Sequence, residues 1–318
     1  MRLRVFVSAL IIAALAVGPA TFACGTCGCS LNSDWISQGY SFGSGFNLNL
    51  RFDYFDQDQL RTGTGTVDKA SIVYPADQEI QLSTINRNYM FEMGYSPSDK
   101  WSIDLIVPVA DRTHSTIAEG DLAPSYSRSA GLGDVRLLGR YQGFSADHSV
   151  GIQFGLKLPT GRIDDRFISG PQAGEIVDRG LQLGSGTTDL LVGAYKFGNF
   201  TRQWGYFASA LAQLPLDSKD EFSPGESLTL SGGVRYTGFR SIIPQLQLNW
   251  RAEKPETGAN ADTANSGATI AYLSPGFTAS LGHRLQAFLF LQLPVYQRVT
   301  GYQLEPHYLL TLGVNFSF

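Results

Sequence analysis

The chain has 318 residues, of which 43% are hydrophobic, and it carries a formal net charge of −4 at pH 7. This acidic balance argues against a nucleic-acid partner, which would require a basic face. After the N-terminal stretch, no window approaches about 18 consecutive apolar residues, which excludes spanning helices. A closed β-barrel is then the membrane-spanning fold that can pair every backbone N–H and C=O.

Residues 1–23 have the features of a secretory signal peptide. Two arginines precede the apolar stretch Val5–Val17, which is shorter than the about 17–25 residues of a spanning helix. The tripeptide Thr21-Phe22-Ala23 then offers small residues at the two positions that a signal peptidase reads. We therefore expect cleavage before Cys24, after which the mature chain has a net charge of −6.

Residues 24–42 are expected to form a Cys-containing N-terminal segment. Cys24, Cys27 and Cys29 lie within six residues, separated by glycine and threonine. Thiolates at this spacing can bind a soft metal ion such as Cu(I), so the three cysteines are the candidate metal ligands. A disulfide in the oxidising periplasm, a lipid on Cys24 and a docking role for a periplasmic partner stay open as alternatives.

The rest of this segment, residues 30–42, links the cysteines to the first predicted strand. It can hang in the periplasm or fold into the barrel lumen as a plug. In either arrangement Trp35 is expected to anchor the segment by packing against apolar side chains.

Residues 43–318 predict an all-β fold, a transmembrane antiparallel up-and-down β-barrel of about 12 strands. Apolar residues alternate with polar ones along most of this region, for example in Phe46–Tyr54, Val150–Leu158 and Leu310–Phe318. The runs reach about nine to eleven residues, the length that a tilted strand needs to cross a membrane. An alternating strand that ends the chain on an aromatic residue is typical of bacterial outer-membrane barrels.

The predicted connections alternate in length, as expected for short periplasmic turns and longer external loops. Short turns are expected near residues 96–100, 144–149, 198–203, 238–241 and 282–284, and long loops near residues 57–78, 112–131, 160–187, 216–226, 253–267 and 299–307. Aromatic residues beside the short turns predict a ring at the inner membrane interface, formed by Tyr95, Trp101, Tyr141, Tyr195, Trp204, Tyr236 and Phe318.

The polar positions of the alternating strands are expected to face the lumen, because an arginine facing lipid at mid-depth would cost about 2–4 kcal/mol. The charged lumen-lining candidates are Arg51, Asp53, Glu92, Asp104, Arg136, Arg140, Lys157, Arg235 and Arg251. The basic row Arg136, Arg140 and Lys157 can attract anionic solutes, as charged rings do in pores. Alternatively, these groups form salt bridges with Asp104 and Glu92 that only stabilise the barrel. The loop over residues 160–187 is the best candidate for folding inward.

Short glycine-rich motifs carry a resemblance to a known family. Gly131-Leu132-Gly133-Asp134 is echoed by the sequence from Gly184 to Asp189, and Leu156-Lys157-Leu158-Pro159-Thr160-Gly161 lies between them. The pattern resembles the outer-membrane β-barrel transporter family labelled for the MetA pathway of phenol degradation, over about residue 80 to Phe318. The resemblance implies a channel-like barrel, and the cysteine-rich start is not part of the general family pattern.

These features predict an outer-membrane channel or passive transporter for small solutes and not an enzyme. Its expected partners are outer-membrane lipid and the solute. One alternative is a structural or metal-binding barrel that presents the Cys cluster in the periplasm. Another is a barrel-embedded hydrolase, which needs a serine beside a histidine base. The four histidines fall in predicted short turns (His148, His283) or external loops (His114, His307).

Overall fold

A computed structural model describes residues 31, 35–40, 44–239, 241–282 and 284–318. Within them the chain forms a single antiparallel sheet of fifteen strands. The predicted signal peptide, residues 1–23, and the three cysteines lie outside the described residues and stay predictions. No helix in the described part of the chain is long and apolar enough to cross a membrane.

The strands follow one another along the chain with two short 3-10 turns, Lys69–Ser71 and Arg179–Leu181. The strands are β1 (Gly45–Gly63), β2 (Gly65–Thr66), β3 (Ile80–Ser98), β4 (Trp101–Ile117), β5 (Ser125–Leu132), β6 (Val135–Tyr141), β7 (Val150–Leu158), β8 (Phe167–Ser169), β9 (Asp189–Asn199), β10 (Trp204–Pro215), β11 (Ser227–Tyr236), β12 (Ile242–Glu253), β13 (Ala268–Ser280), β14 (Leu285–Pro306) and β15 (Leu309–Ser317).

The sheet closes on itself into a barrel. The last strand, β15, pairs with β1 from Asn47 opposite Ser317 to Tyr54 opposite Leu310. Strands β5 and β6 pair with successive halves of β4 and so count as one interrupted wall strand. The two- and three-residue strands β2 and β8 are additions to β1 and β5. The wall therefore has twelve strands, which confirms the predicted fold.

The polarity of the wall is the reverse of that of a water-soluble protein. On β12, Gln247 and Asn249 are fully buried, whereas Leu248 between them is 52% exposed. Leaving such a leucine in water would forgo about 1.5–3 kcal/mol of transfer free energy, so the exterior requires a hydrocarbon solvent. The barrel is an outer-membrane protein whose apolar outer face contacts lipid.

Aromatic side chains cluster at the end of the barrel that carries the short turns. The rings of Trp101 and Tyr141 lie 4.6 Å apart on β4 and β6, and those of Trp204 and Tyr236 lie 5.1 Å apart on β10 and β11. Tyr195 was wrongly predicted to belong to this ring. It is 3% exposed, and its hydroxyl donates to Gln142 Oε1 at 2.9 Å, because its phase on β9 points it into the barrel.

Several predicted long loops are strands in the structure. Strand β1 continues to Gly63 and β4 to Ile117, so the loops expected near 57–78 and 112–131 are shorter than predicted. The expected loop near 299–307 is largely the last part of strand β14, with a positive φ (+60°) at Gly301, and residues 302–306 of that strand pair with β1. Polar residues mark the point where the chain leaves the hydrocarbon layer. The hydrogen-bonded pairing of the strands continues beyond that point because backbone pairing is also favourable in water.

Candidate functional site: the barrel lumen

The short-turn end of the lumen is occupied by part of the N-terminal segment, Leu31 and Trp35–Tyr40, called here the inner plug. Leu31 and Trp35 are buried against Phe288 and Phe290 on the inward face of β14. The rings of Trp35 and Phe288 lie 4.8 Å apart. Of the two arrangements left open by the sequence, the described part of this segment adopts the plug, and Trp35 is its packing anchor.

Arg235, a predicted lumen residue on β11, holds the inner plug from the barrel wall. Its Nη1 donates to the carbonyl oxygen of Gln38 at 2.6 Å, and its guanidinium lies 4.5 Å from the ring centroid of Tyr40. Gly39 between them has φ +82°, and a side chain there would overlap the ring of Phe197. Glycine is therefore needed for this close approach.

The outer end of the lumen is narrowed by the loop of residues 160–187, as predicted. Val177 and Leu181 are buried with Phe167 in a small hydrophobic cluster. Arg112 Nη1, from the wall strand β4, donates to the carbonyl oxygens of Gly180 and Gln182 at 3.5 and 3.4 Å. These contacts hold residues 180–182 of the loop over the lumen.

The glycine-rich motifs meet in a buried ionic cluster at the base of this loop. Lys157 Nζ lies 2.9 Å from Asp189 Oδ2 and 3.3 Å from Asp134 Oδ2, and it also contacts the hydroxyl of Ser185. Asp134 accepts hydrogen bonds from the backbone N–H groups of Ser185 (2.9 Å) and Gly161 (3.0 Å). The cluster therefore joins the wall to both ends of the inward-folded loop.

Asp134 and Asp189 were not among the charged lumen candidates. The signal that could have found them is their place in the two repeated glycine-rich motifs, each of which ends on the aspartate. Lys157 was expected to pair with Asp104 or Glu92, whereas its acidic partners are these two motif residues.

Other candidates form pairs within the lumen. Arg140 and Asp104, which are 2% and 1% exposed, form a fully buried ion pair across neighbouring strands. Arg51 pairs with Asp53 at 2.9 Å. Arg251 pairs with Glu253 at 2.6 Å, and Asn49 Nδ2 donates to Glu92 Oε2 at 3.3 Å.

Four cavities share lining residues in a way that places them in series along the barrel. The inner cavity, about 320 Å³, is lined by the short turns at Asp99 and His148, and it shares Arg140 with a central cavity of about 170 Å³. The central cavity shares side chains with an outer cavity of about 260 Å³, namely Arg51, Met90, Arg136, Gln213 and Arg251. The outer cavity shares Gly180 and Glu256 with a mouth cavity of about 40 Å³.

Carboxyl groups collect at the mouth. Asp178, Glu256 and Asp262 line the mouth cavity, and Glu79 lies beside Asp178. Partial burial and the neighbouring Asp178 carboxylate raise the pKa of Glu79 to about 8. Within the described residues, no group of three or more His, Cys, Asp or Glu side chains is placed to hold a metal ion. The candidate Cu(I) ligands lie outside this part of the chain, so that prediction is not tested.

Three of the four histidines considered for the hydrolase alternative, His114, His148 and His307, lie in the described part of the chain. His114 was wrongly placed in an external loop, because β4 extends through it to Ile117. It is buried, and its Nδ1 lies 2.8 Å from the hydroxyl of Thr84. His307 Nε2 lies 3.5 Å from Asp58 on the exposed rim, and His283 lies outside the described residues.

Comparison with known proteins adds evidence on the fold. No family model matches the chain, and no curated protein matches it. An outer-membrane channel from Pseudomonas putida F1 superposes with a TM-score of 0.65 at 12% identity, covering 91% of this chain and 99% of that one. A toluene transporter of Ralstonia pickettii gives 0.46 at 11% identity (87% and 90% covered), and a monoaromatic hydrocarbon channel gives 0.45 at 12% (95% of each).

TM-scores below 0.5 do not establish a shared fold, so only the first similarity is informative. At 12% identity it shows the fold alone. The chain therefore has the architecture of an outer-membrane β-barrel. The narrower resemblance to the phenol-degradation family stays a prediction, since no family model matches.

Proposed function

We propose that the protein is an outer-membrane channel through which small solutes pass without energy input. The observation that carries this proposal is the series of four cavities from the short-turn end of the barrel to its outer mouth. Barrels of about eight strands are filled by side chains, and those of sixteen to eighteen strands are open. A twelve-stranded wall leaves an intermediate bore, which the inner plug and the loop of residues 160–187 reduce further.

Passage through such a lumen is stepwise. Amides and hydroxyls along the wall, such as Gln153, Ser209 and Thr229, can replace part of the hydration of a small polar solute. Several weak sites in series favour entry without trapping the solute. The narrow junctions between cavities would exclude bulky molecules, so the channel is expected to have a small conductance.

Recordings from purified mature protein in planar lipid bilayers test the proposal. We expect small, stable conductance steps in KCl, and a Trp35→Ala variant should conduct severalfold more because it removes the packing anchor of the inner plug. Trp204→Ala is the matched control, since that tryptophan is 45% exposed on the outer face. If both the unmodified protein and the Trp35→Ala variant fold as barrels but neither conducts, the channel function would be contradicted.

A second proposal concerns the N-terminus, where Cys24, Cys27 and Cys29 are candidate ligands for a soft ion such as Cu(I). Cys29 precedes the lumen-bound Leu31 by two residues, so an ion or a periplasmic partner bound there would be linked directly to the inner plug. This proximity favours a role for the cysteines in regulating the inner plug over a role that does not involve the channel.

A further inference from the structure

We propose that the solute is a small organic anion with a carboxylate head and an apolar body, and that it binds in the central cavity. The inference rests on the proposed channel function and adds the chemical class of the solute.

The central cavity is lined mainly by arginines, three of which also pair with acids beside it: Arg51 with Asp53, Arg140 with Asp104 and Arg251 with Glu253. Four arginines line it, Arg51, Arg136, Arg140 and Arg251, against a single acidic side chain, Glu92. A guanidinium group has five N–H donors in a planar fork, so it can hold a protein carboxylate and a solute carboxylate together. The central cavity therefore has the donor chemistry of a carboxylate site.

The arginines lie where one cavity meets the next. Arg140 lines both the inner and the central cavities. At the other junction, Arg51, Arg136 and Arg251 extend from β1, β6 and β12 and line both the central and the outer cavities. A solute crossing the barrel passes both groups, whose guanidinium N–H groups can donate hydrogen bonds to an anion within an enclosed path.

The central cavity also has an apolar side. Met90, Ile106, Leu138 and Leu211 line it from the barrel wall, and Leu31 of the inner plug lies beside them. Inward-facing positions of a water-filled barrel are usually polar, so these apolar side chains beside four arginines depart from the usual lining. An inorganic anion would leave this surface exposed to water, whereas a short aliphatic chain would cover it.

Isothermal titration of the mature protein in detergent micelles with hexanoate, acetate and hexylamine tests the site, with protein-free micelles as the baseline. We expect hexanoate to bind about tenfold more tightly than acetate because its additional methylene groups are buried, and hexylamine not to bind. Arg136→Gln should weaken hexanoate about tenfold through loss of a charge-assisted hydrogen bond. Arg128→Gln is the matched control, because Arg128 is exposed and pairs with Asp111 away from the cavities.

Leu138→Ala is a second variant that keeps the charges. It should reduce the affinity for hexanoate and leave that for acetate unchanged. Equal binding of hexanoate and hexylamine, or unchanged hexanoate affinity in both lumen variants, would overturn the site. Because titration does not depend on transport, a protein that binds hexanoate but stays electrically silent would overturn the channel alone. One that conducts but binds no hexanoate would overturn the site alone.

Discussion

Lys157 and Asp189 form a buried ion pair across the neighbouring strands β7 and β9, with Nζ and Oδ2 2.9 Å apart. Lys157 is 6% exposed and Asp189 is fully buried. Asp134 shares the same lysine and binds the backbone of the inward-folded loop. One cation therefore contacts two carboxylates and connects the wall to the loop that narrows the outer lumen.

Lys157→Met is expected to destabilise the barrel because it leaves two carboxylates buried without their cation. Breaking a buried pair costs about 3 kcal/mol or more, so the unfolding midpoint in urea should fall clearly, as measured by the gel-mobility difference between folded and unfolded barrel. Lys254→Met is the control, because its pair with Glu226 is half exposed and should contribute less than about 1 kcal/mol. Equal losses in the two variants would contradict the proposed role of the cluster.

Gly39→Val is expected to displace the inner plug and increase the single-channel conductance. Valine is disfavoured at φ +82°, and its side chain would overlap the ring of Phe197. Gly63→Val provides the matched control, since Gly63 also has a positive φ (+55°) but open space around it at the outer end of β1. If both variants conduct like the unmodified protein, the inner plug does not limit the current.

The conductance should depend on pH through Glu79. Its pKa of about 8 lies above the ordinary value of 4.5, so the folded mouth holds this proton more tightly than the unfolded chain does. The arrangement of the mouth seen in the structure, with Glu79 beside Asp178, is most stable below about pH 4.5, loses stability as pH rises from there to about 8, and changes little above that. We expect the conductance to rise over this interval, and Glu79→Gln to abolish the dependence. A pH profile that is the same in Glu79→Gln would exclude this carboxyl as its source.

Metal content tests the cysteine proposal. Mature protein purified anaerobically after exposure to Cu(I) should retain copper through several washes, and the double variant Cys27→Ser with Cys29→Ser should lose it, since soft ions prefer thiolate ligands. A thiol titration on the same samples separates metal binding from a disulfide. Copper retained equally by the double variant would place the metal elsewhere.

The direction of most wall side chains could be predicted from the sequence, and the errors have a common physical origin. Where polar and apolar residues alternate strictly, as from Phe46 to Tyr54, the lipid-facing side is unambiguous. Around Tyr195 the alternation fails, because Leu190, Leu191 and Val192 are all apolar and either phase is possible. The ladder with β7, which places Tyr195 opposite Gly151, sets the phase.

By itself, the sequence determined that the chain is a barrel of about twelve strands with an apolar exterior and charged residues inside. It could do so because burial in hydrocarbon acts on each residue of a strand separately, with period two. Only the tertiary structure decided which acids neutralise Lys157, that Trp35 packs inside the barrel, and that arginines lie at the junctions between cavities. Those features depend on strand register and on contacts between residues far apart in the chain, which local patterns do not encode.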